Sequence, residues 1–200
     1  MSMFEVELAN RGGAPLFQSF HILKALWHIQ QMQPIGRKDL AERLGIGEGS
    51  VRKLLSYLEE RFWVSTTRQG ISLSAAGAEL LDDIGLKAKE VHAGSITVGE
   101  VDFAIRLRNM AGNVSKGIEQ RDEAMKAGAS GATTLVFSRG KLQFSDGFDV
   151  AKSDSRAARV LMQDFELADD DVLIIGCSPE PELAMDGAFA AAVLALGRKN

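Results

Sequence analysis

The chain has 200 residues, of which 46% are hydrophobic and 25% are charged, and its formal net charge is −4. This length allows one or two domains with their own buried cores, and the composition is ordinary for a globular protein. A single cysteine excludes an internal disulfide and a cysteine-based metal cluster. Without a signal-peptide pattern, or an apolar run near the roughly 20 residues that span a bilayer, the sequence predicts a cytoplasmic protein without a membrane partner.

The first part of the chain predicts several short helices and one hairpin. Pro34 ends the first helix, because proline disfavours helical geometry in the residue before it. Ser74 can cap the last of these helices. Arg68, Gln69 and Gly70 form the tip of the hairpin between two extended segments. The predicted elements are helices over 16–32, 37–44, 49–62 and 75–86, and strands over 64–67 and 71–73.

The third of these helices has one apolar face. Its inward positions fall at i, i+3, i+4 and i+7, which places them on a single stripe. A glycine-containing turn, residues 45–47, separates this helix from the second one. The stripe consists of Val51, Leu54, Leu55 and Leu58.

The order helix, helix, turn, helix, hairpin, helix resembles the winged helix-turn-helix superfamily. The resemblance lies in Lys38–Ile46 as second helix and turn, in Val51–Val64 as third helix, and in Leu73–Gly77 as hairpin exit. It covers just over a third of the chain and implies a DNA-binding domain over residues 1–86. In this superfamily the third helix enters the major groove, and dimers pair two half-sites.

The resemblance assigns DNA contacts to residues outside the apolar stripe. Residues near the start of the third helix face the base edges, the second helix reaches the DNA backbone, and the hairpin tip reaches the minor groove or phosphates. Residues 34–73 carry a charge of +2, although Glu48, Glu59 and Glu60 oppose DNA binding. The alternative is a winged helix that docks another protein. The candidate DNA-binding residues are Arg37, Lys38, Gly49, Ser50, Arg52, Lys53 and Arg68.

Residues 87–95 are predicted to be a linker, and a second domain is predicted over 96–200. The order βαββαβ with a closing helix fits a ferredoxin-like or related split βαβ arrangement, so the fold class is α+β. The whole chain resembles an uncharacterised archaeal family that joins a winged helix to such a domain, and that family brings no established activity. The predicted elements are strands over 101–107, 132–138, 141–145 and 172–176, and helices over 113–127, 153–165 and 182–196.

Two small-residue turns in the second domain predict a site for a small anionic metabolite. A strand-to-helix junction at residues 108–113 offers free N–H groups, and Gly128–Thr134 forms the other turn. The alternative is a plain connection with solvated charges, in a domain that serves for dimerisation. The candidate ligand-binding residues are Asn113, Lys116, Arg121, Thr133 and Thr134.

The sequence offers little support for catalysis or metal binding. Cys177 follows a buried strand, but the only histidines, His21, His28 and His92, lie far along the chain and provide no evident base. Three histidines and one cysteine do not form a zinc signature, so no metal, cofactor or enzymatic activity is expected. The last helix is rich in small residues and is either an inner helix or a dimer seam.

These observations predict a homodimeric DNA-binding transcriptional regulator whose C-terminal domain senses a small molecule or forms the dimer. A protein-docking module is the alternative function, and a small enzyme with its site in the second domain is a third.

Overall fold

The computed structural model describes residues 17–197. Leu16, at the predicted start of the first helix, is not among the described residues, and neither are the other residues at the two ends of the chain. The described chain divides into two compact units, residues 17–83 and residues 84–197. Within these residues, no helix combines the length and the apolar character needed to cross a membrane.

The N-terminal unit is a winged helix-turn-helix domain, as predicted. Its third helix buries the predicted stripe against the other helices, and α2 ends at Gly45, whose positive φ of 66° allows the sharp turn. The elements are α1 (Ser19–Met32), α2 (Arg37–Leu44), α3 (Glu48–Glu60), β1 (Val64–Thr67), β2 (Gly70–Leu73) and α4 (Ala75–Asp83).

The wing is a two-stranded hairpin that is attached at both ends. Ile35 exchanges two backbone hydrogen bonds with Ile71, at 3.0 and 2.9 Å, which ties the chain before α2 to β2. Ser74 caps α4 as predicted, because its Oγ accepts a hydrogen bond of 3.1 Å from the N–H of Gly77. These bonds fix the wing next to the helices.

The C-terminal unit is built on a five-stranded antiparallel sheet with the order β3-β4-β7-β5-β6. The chain order is ββαββαβα. The elements are β3 (Lys87–Val91), β4 (Val101–Leu107), α5 (Ile118–Lys126), β5 (Gly131–Ser138), β6 (Lys141–Phe144), α6 (Ser155–Phe165), β7 (Val172–Ser178) and α7 (Pro181–Gly197).

The predicted linker over residues 87–95 is wrong in its first half. Lys87–Val91 is the edge strand β3, which pairs with β4 from Lys87 opposite Arg106 to Val91 opposite Asp102. Charged residues on an edge strand protect its open edge from pairing with another chain. The same residues interrupt the apolar alternation by which a strand is recognised in a sequence. The second unit therefore begins at about residue 84 rather than 96.

The α+β class and the βαββαβ order are confirmed, and the strand order is that of a related split βαβ arrangement. Helix α5 connects β4 to β5, which are parallel to each other with β7 between them. In a ferredoxin-like sheet the third strand, here β6, would occupy that place. Instead, β7 lies centrally and β6 lies at the edge.

Helices cover both faces of the sheet, which explains why β7 is buried along its whole length. On one face, α6 packs with Leu135, Leu173 and Ile175 in a single apolar cluster. On the other face, a Cβ at Gly176 would lie 2.3 Å from the carbonyl oxygen of Ala184 in α7. The small residues of α7 therefore make it an inner helix that approaches the sheet closely.

Candidate nucleic-acid interface

The outward face of α3 carries two exposed cations, Arg52 and Lys53. A helix turns about 100° per residue, so these positions lie roughly 100° and 200° from buried Val51. Gly49 and Ser56 share the exposed face, and the hydroxyl of Ser56 donates to the carbonyl of Arg52 at 3.1 Å. Within residues 17–197, neither Arg52 nor Lys53 forms an ion pair, so both are available to an external anion.

Ser50 does not belong to this face, contrary to the prediction. Its side chain is only 5% exposed. The reason is angular, because Ser50 lies four residues before Leu54 and therefore only roughly 40° from it around the helix. The candidate base contacts on α3 reduce to Gly49, Arg52 and Lys53, with Ser56 as a position that the sequence interpretation missed.

The two residues of α2 that are predicted to contact the DNA backbone both form ion pairs with carboxylates. Arg37 lies 3.6 Å from Glu48, and Lys38 lies 3.9 Å from Glu42. All four side chains are largely exposed, so these ion pairs are weak and open to competition from phosphate. DNA binding at Arg37 would require the carboxylate of Glu48 to be displaced.

The tip of the wing presents Arg68 to solvent. Thr67 shapes the turn, since its hydroxyl donates to the carbonyl of Gly70 at 3.3 Å and accepts from the N–H of Gln69 at 3.2 Å. Another cation of this region, Arg61, is not free in the same way. Its guanidinium stacks 3.5 Å from the ring centre of Tyr57, which restrains the side chain.

A small pocket in the C-terminal unit brings together four of the five predicted ligand-binding residues. It has a volume of about 210 Å³ and lies where α5 begins beside β5. The sequence interpretation missed Gly117, which directly precedes α5, and Ser145, which follows β6. The pocket is lined by Lys116, Gly117, Ile118, Arg121, Ala132, Thr133, Thr134, Phe144 and Ser145.

Two of the predicted ligand-binding side chains are engaged elsewhere. The amide of Asn113 donates to the carbonyl of Ala195 at 2.9 Å, so it holds the end of α7 and does not line the pocket. The hydroxyl of Thr133 donates to the carbonyl of Ile96 at 3.1 Å. Lys116, Arg121 and Thr134 remain as candidate ligand contacts.

The cysteine and histidines form no catalytic or metal-binding cluster within the described residues. Cys177 is buried, and its Sγ lies 3.6 Å from the carbonyl oxygen of Gly131. His21 accepts a hydrogen bond from the N–H of Gln18, and His28 is buried on the same helix. Residues 17–197 contain no group of three potential metal ligands drawn from histidine, cysteine, aspartate and glutamate.

Comparison with known proteins agrees with this two-part architecture. Residues 17–86 match the family described as the CggR N-terminal DNA binding domain, and residues 98–196 match DUF4443, a domain of unknown function. The hypothetical protein PH0730 from Pyrococcus horikoshii OT3 has a similar structure, with a TM-score of 0.67 and 28% identity. That similarity covers 88% of this chain and 91% of the other.

The central glycolytic genes regulator of Priestia megaterium (strain DSM 319 / IMG 1521) is similar only in the N-terminal part. It is 36% identical over 66 residues, which are 33% of this chain and 19% of that protein. The chain thus matches about a fifth of the length of this curated relative. Together with the geometry of α3 and the wing, these matches show that the N-terminal unit is a winged helix-turn-helix domain similar to the DNA-binding domain of a regulator, and that residues 98–196 are similar to a domain of unknown function.

Proposed function

We propose that the protein is a transcriptional regulator that inserts α3 into the major groove of duplex DNA. The observation that carries this proposal is the exposed face of α3, where Arg52 and Lys53 are free of ion pairs within residues 17–197. Arginine suits the edge of guanine, and lysine suits a phosphate. The wing extends the contact, because Arg68 can reach the adjacent backbone.

The proposed complex is a homodimer on two half-sites. One winged helix buries too little DNA surface for high specificity, and pairing of domains is the usual solution in helix-turn-helix proteins. The second unit is proposed to make this dimer or to sense a small molecule. Sedimentation of the free protein and its DNA complex checks the stoichiometry, and two half-sites about one helical turn apart are expected in selected DNA.

The experiment is a titration of the pure protein with DNA fragments selected from genomic DNA, followed by fluorescence anisotropy at several salt concentrations. Each phosphate contact lowers the slope of log K against log salt by about 0.9, so three contacts per domain give a slope of about −2.7 for each domain. A slope near zero, or no enrichment of any fragment, would instead favour a winged helix that docks a protein.

A further inference from the structure

The pocket beside α5 occupies a gap in the sheet. Strand β5 pairs with β7 from Gly131 to Val136, but its register with β6 begins only at Leu135. The turn before α5 lies beside this gap. A methyl group added to Gly117 would extend into it, 3.4 Å from Thr134 Oγ1 and 3.6 Å from Ser145 Oγ. Gly117 has a φ of +71°, so the absence of a side chain there serves both the turn and the open space.

One buried polar atom of a pocket residue has no partner within the described structure. Thr134 lines the pocket and is only 4% exposed, and its Oγ1 makes no hydrogen bond. Gln120, in the first turn of α5, also has a fully buried amide without a partner, but it does not line the pocket. Buried polar groups are almost always satisfied by protein, water or an ion, so the unpartnered hydroxyl of Thr134 supports a polar occupant of the pocket.

The charges around the pocket select an anion. Lys116 and Arg121 line it, the hydroxyl of Thr134 can donate, and the N-terminus of α5 adds the positive end of the helix dipole. The hydroxyl of Ser145 is already used, because it donates to the carbonyl of Lys116 at 2.8 Å. Arg121 also lies 3.1 Å from Asp122, but both side chains are about half exposed, so that pair can be displaced. Several donors converging on a small volume suit the tetrahedral oxygens of a phosphate group better than a planar carboxylate.

We propose that this pocket binds the phosphate group of a small metabolite and that its occupancy alters the affinity of the protein for DNA. A volume of about 210 Å³ admits a compact phosphate ester and excludes a nucleic acid strand. The regulatory part rests on the proposed DNA-binding function, whereas the phosphate site itself does not.

The test is direct binding of inorganic phosphate and glycerol phosphate to the full chain, measured by calorimetry and thermal shift without DNA. Saturable binding is expected, with acetate at equal ionic strength at least tenfold weaker. Thr134→Val is the informative variant, because it keeps the shape of the side chain and removes the unpartnered hydroxyl. Its melting temperature without phosphate should equal or exceed that of the parent, while phosphate binds at least fivefold more weakly.

Lys116→Gln and Arg121→Gln should each weaken phosphate binding about tenfold. Arg156→Gln is the matched control, since it removes an exposed cation from α6 and should leave binding unchanged. Equal binding of phosphate and acetate, or phosphate binding that none of the three pocket variants weakens, would overturn the proposal. DNA affinity measured with and without phosphate then tests the regulatory part, and unchanged affinity would refute that part alone.

Discussion

Arg37, the first residue of α2, forms an ion pair with Glu48, the first residue of α3, with 3.6 Å between the guanidinium and the carboxylate. Glu48 also lies in the first turn of α3, where a negative charge interacts favourably with the helix dipole. The carboxylate therefore stabilises the start of α3. It also repels DNA, and it pairs with Arg37, one of the cations proposed to bind DNA.

Glu48→Gln is expected to strengthen DNA binding and to cost a little stability. The substitution frees Arg37 and removes a negative charge from the interface, so the salt slope should steepen by about 0.9. Loss of the dipole interaction should lower the free energy of unfolding by about 0.3–1 kcal/mol. Anisotropy titrations and thermal unfolding measure both effects. Unchanged binding by a folded variant would place Glu48 outside the interface, and weaker binding would contradict the proposed repulsion.

Arg52 and Lys53 should affect DNA binding without affecting folding. If Arg52 contacts a guanine edge, Arg52→Ala should cost about 1–3 kcal/mol of binding and relax the preference at one base pair. Lys53→Ala should weaken all sequences alike and make the salt slope about one unit shallower. Exposed substitutions of this kind change stability by about 0.5 kcal/mol or less.

Two controls accompany these variants. Leu55→Ala should lose about 2–5 kcal/mol of stability, because Leu55 belongs to the buried stripe, and should impair binding only through unfolding. Arg156→Ala removes an exposed cation from the other unit and should change neither quantity. If both α3 variants bind selected DNA as tightly as the parent, α3 does not contact the DNA.

His28 should make the N-terminal domain less stable in mild acid. Burial, and then the positive charges of Lys24 and Arg43, lower the pKa of His28 to about 4 from its ordinary 6.5. The unfolded chain binds the proton first, so stability is fully present above about pH 6.5 and falls as the pH approaches 4. At pH 5 this linkage removes about 2 kcal/mol.

Denaturant unfolding of the parent and of His28→Phe between pH 7 and pH 4.5 tests this effect. Phenylalanine has a similar shape, has no proton to bind and removes the unpartnered Nε2. The difference in stability between the two proteins should therefore change steeply below pH 6.5. His92→Gln, which removes an exposed histidine, is the matched control variant. Parallel curves for the parent and His28→Phe would contradict the lowered pKa.

A fragment of residues 84–200 should fold alone, whereas one of residues 96–200 should be less stable. The shorter fragment lacks β3, which leaves the edge of β4 unpaired and exposes apolar surface. Thermal unfolding of both fragments gives the comparison. Equal melting temperatures would mean that β3 contributes nothing to the second unit.

The sequence predicted most elements correctly because their apolar periodicity is strong, as in α3 and β4. It failed at β3, where Lys87, Lys89 and Glu90 interrupt the alternation. Ser50 could have been placed correctly, since its angular distance from Leu54 follows from helix geometry alone. The roles of Asn113 and Thr133 could not, because their partners, Ala195 in α7 and Ile96 before β4, are far away in the sequence and are brought close only by tertiary packing.

The central position of β7 has a consequence for how the protein is made. The hairpin β3-β4 and the hairpin β5-β6 lie on opposite sides of β7. The two hairpins therefore cannot form one sheet until the central strand, residues 172–178, has left the ribosome. Pairing of β7 with β4 and β5 joins segments that are far apart in the sequence, and such pairings form slowly. Domains near the N-terminus fold first during synthesis. The winged helix is therefore complete on the nascent chain while two separate hairpins, each with an uncovered edge, await the strand that joins them.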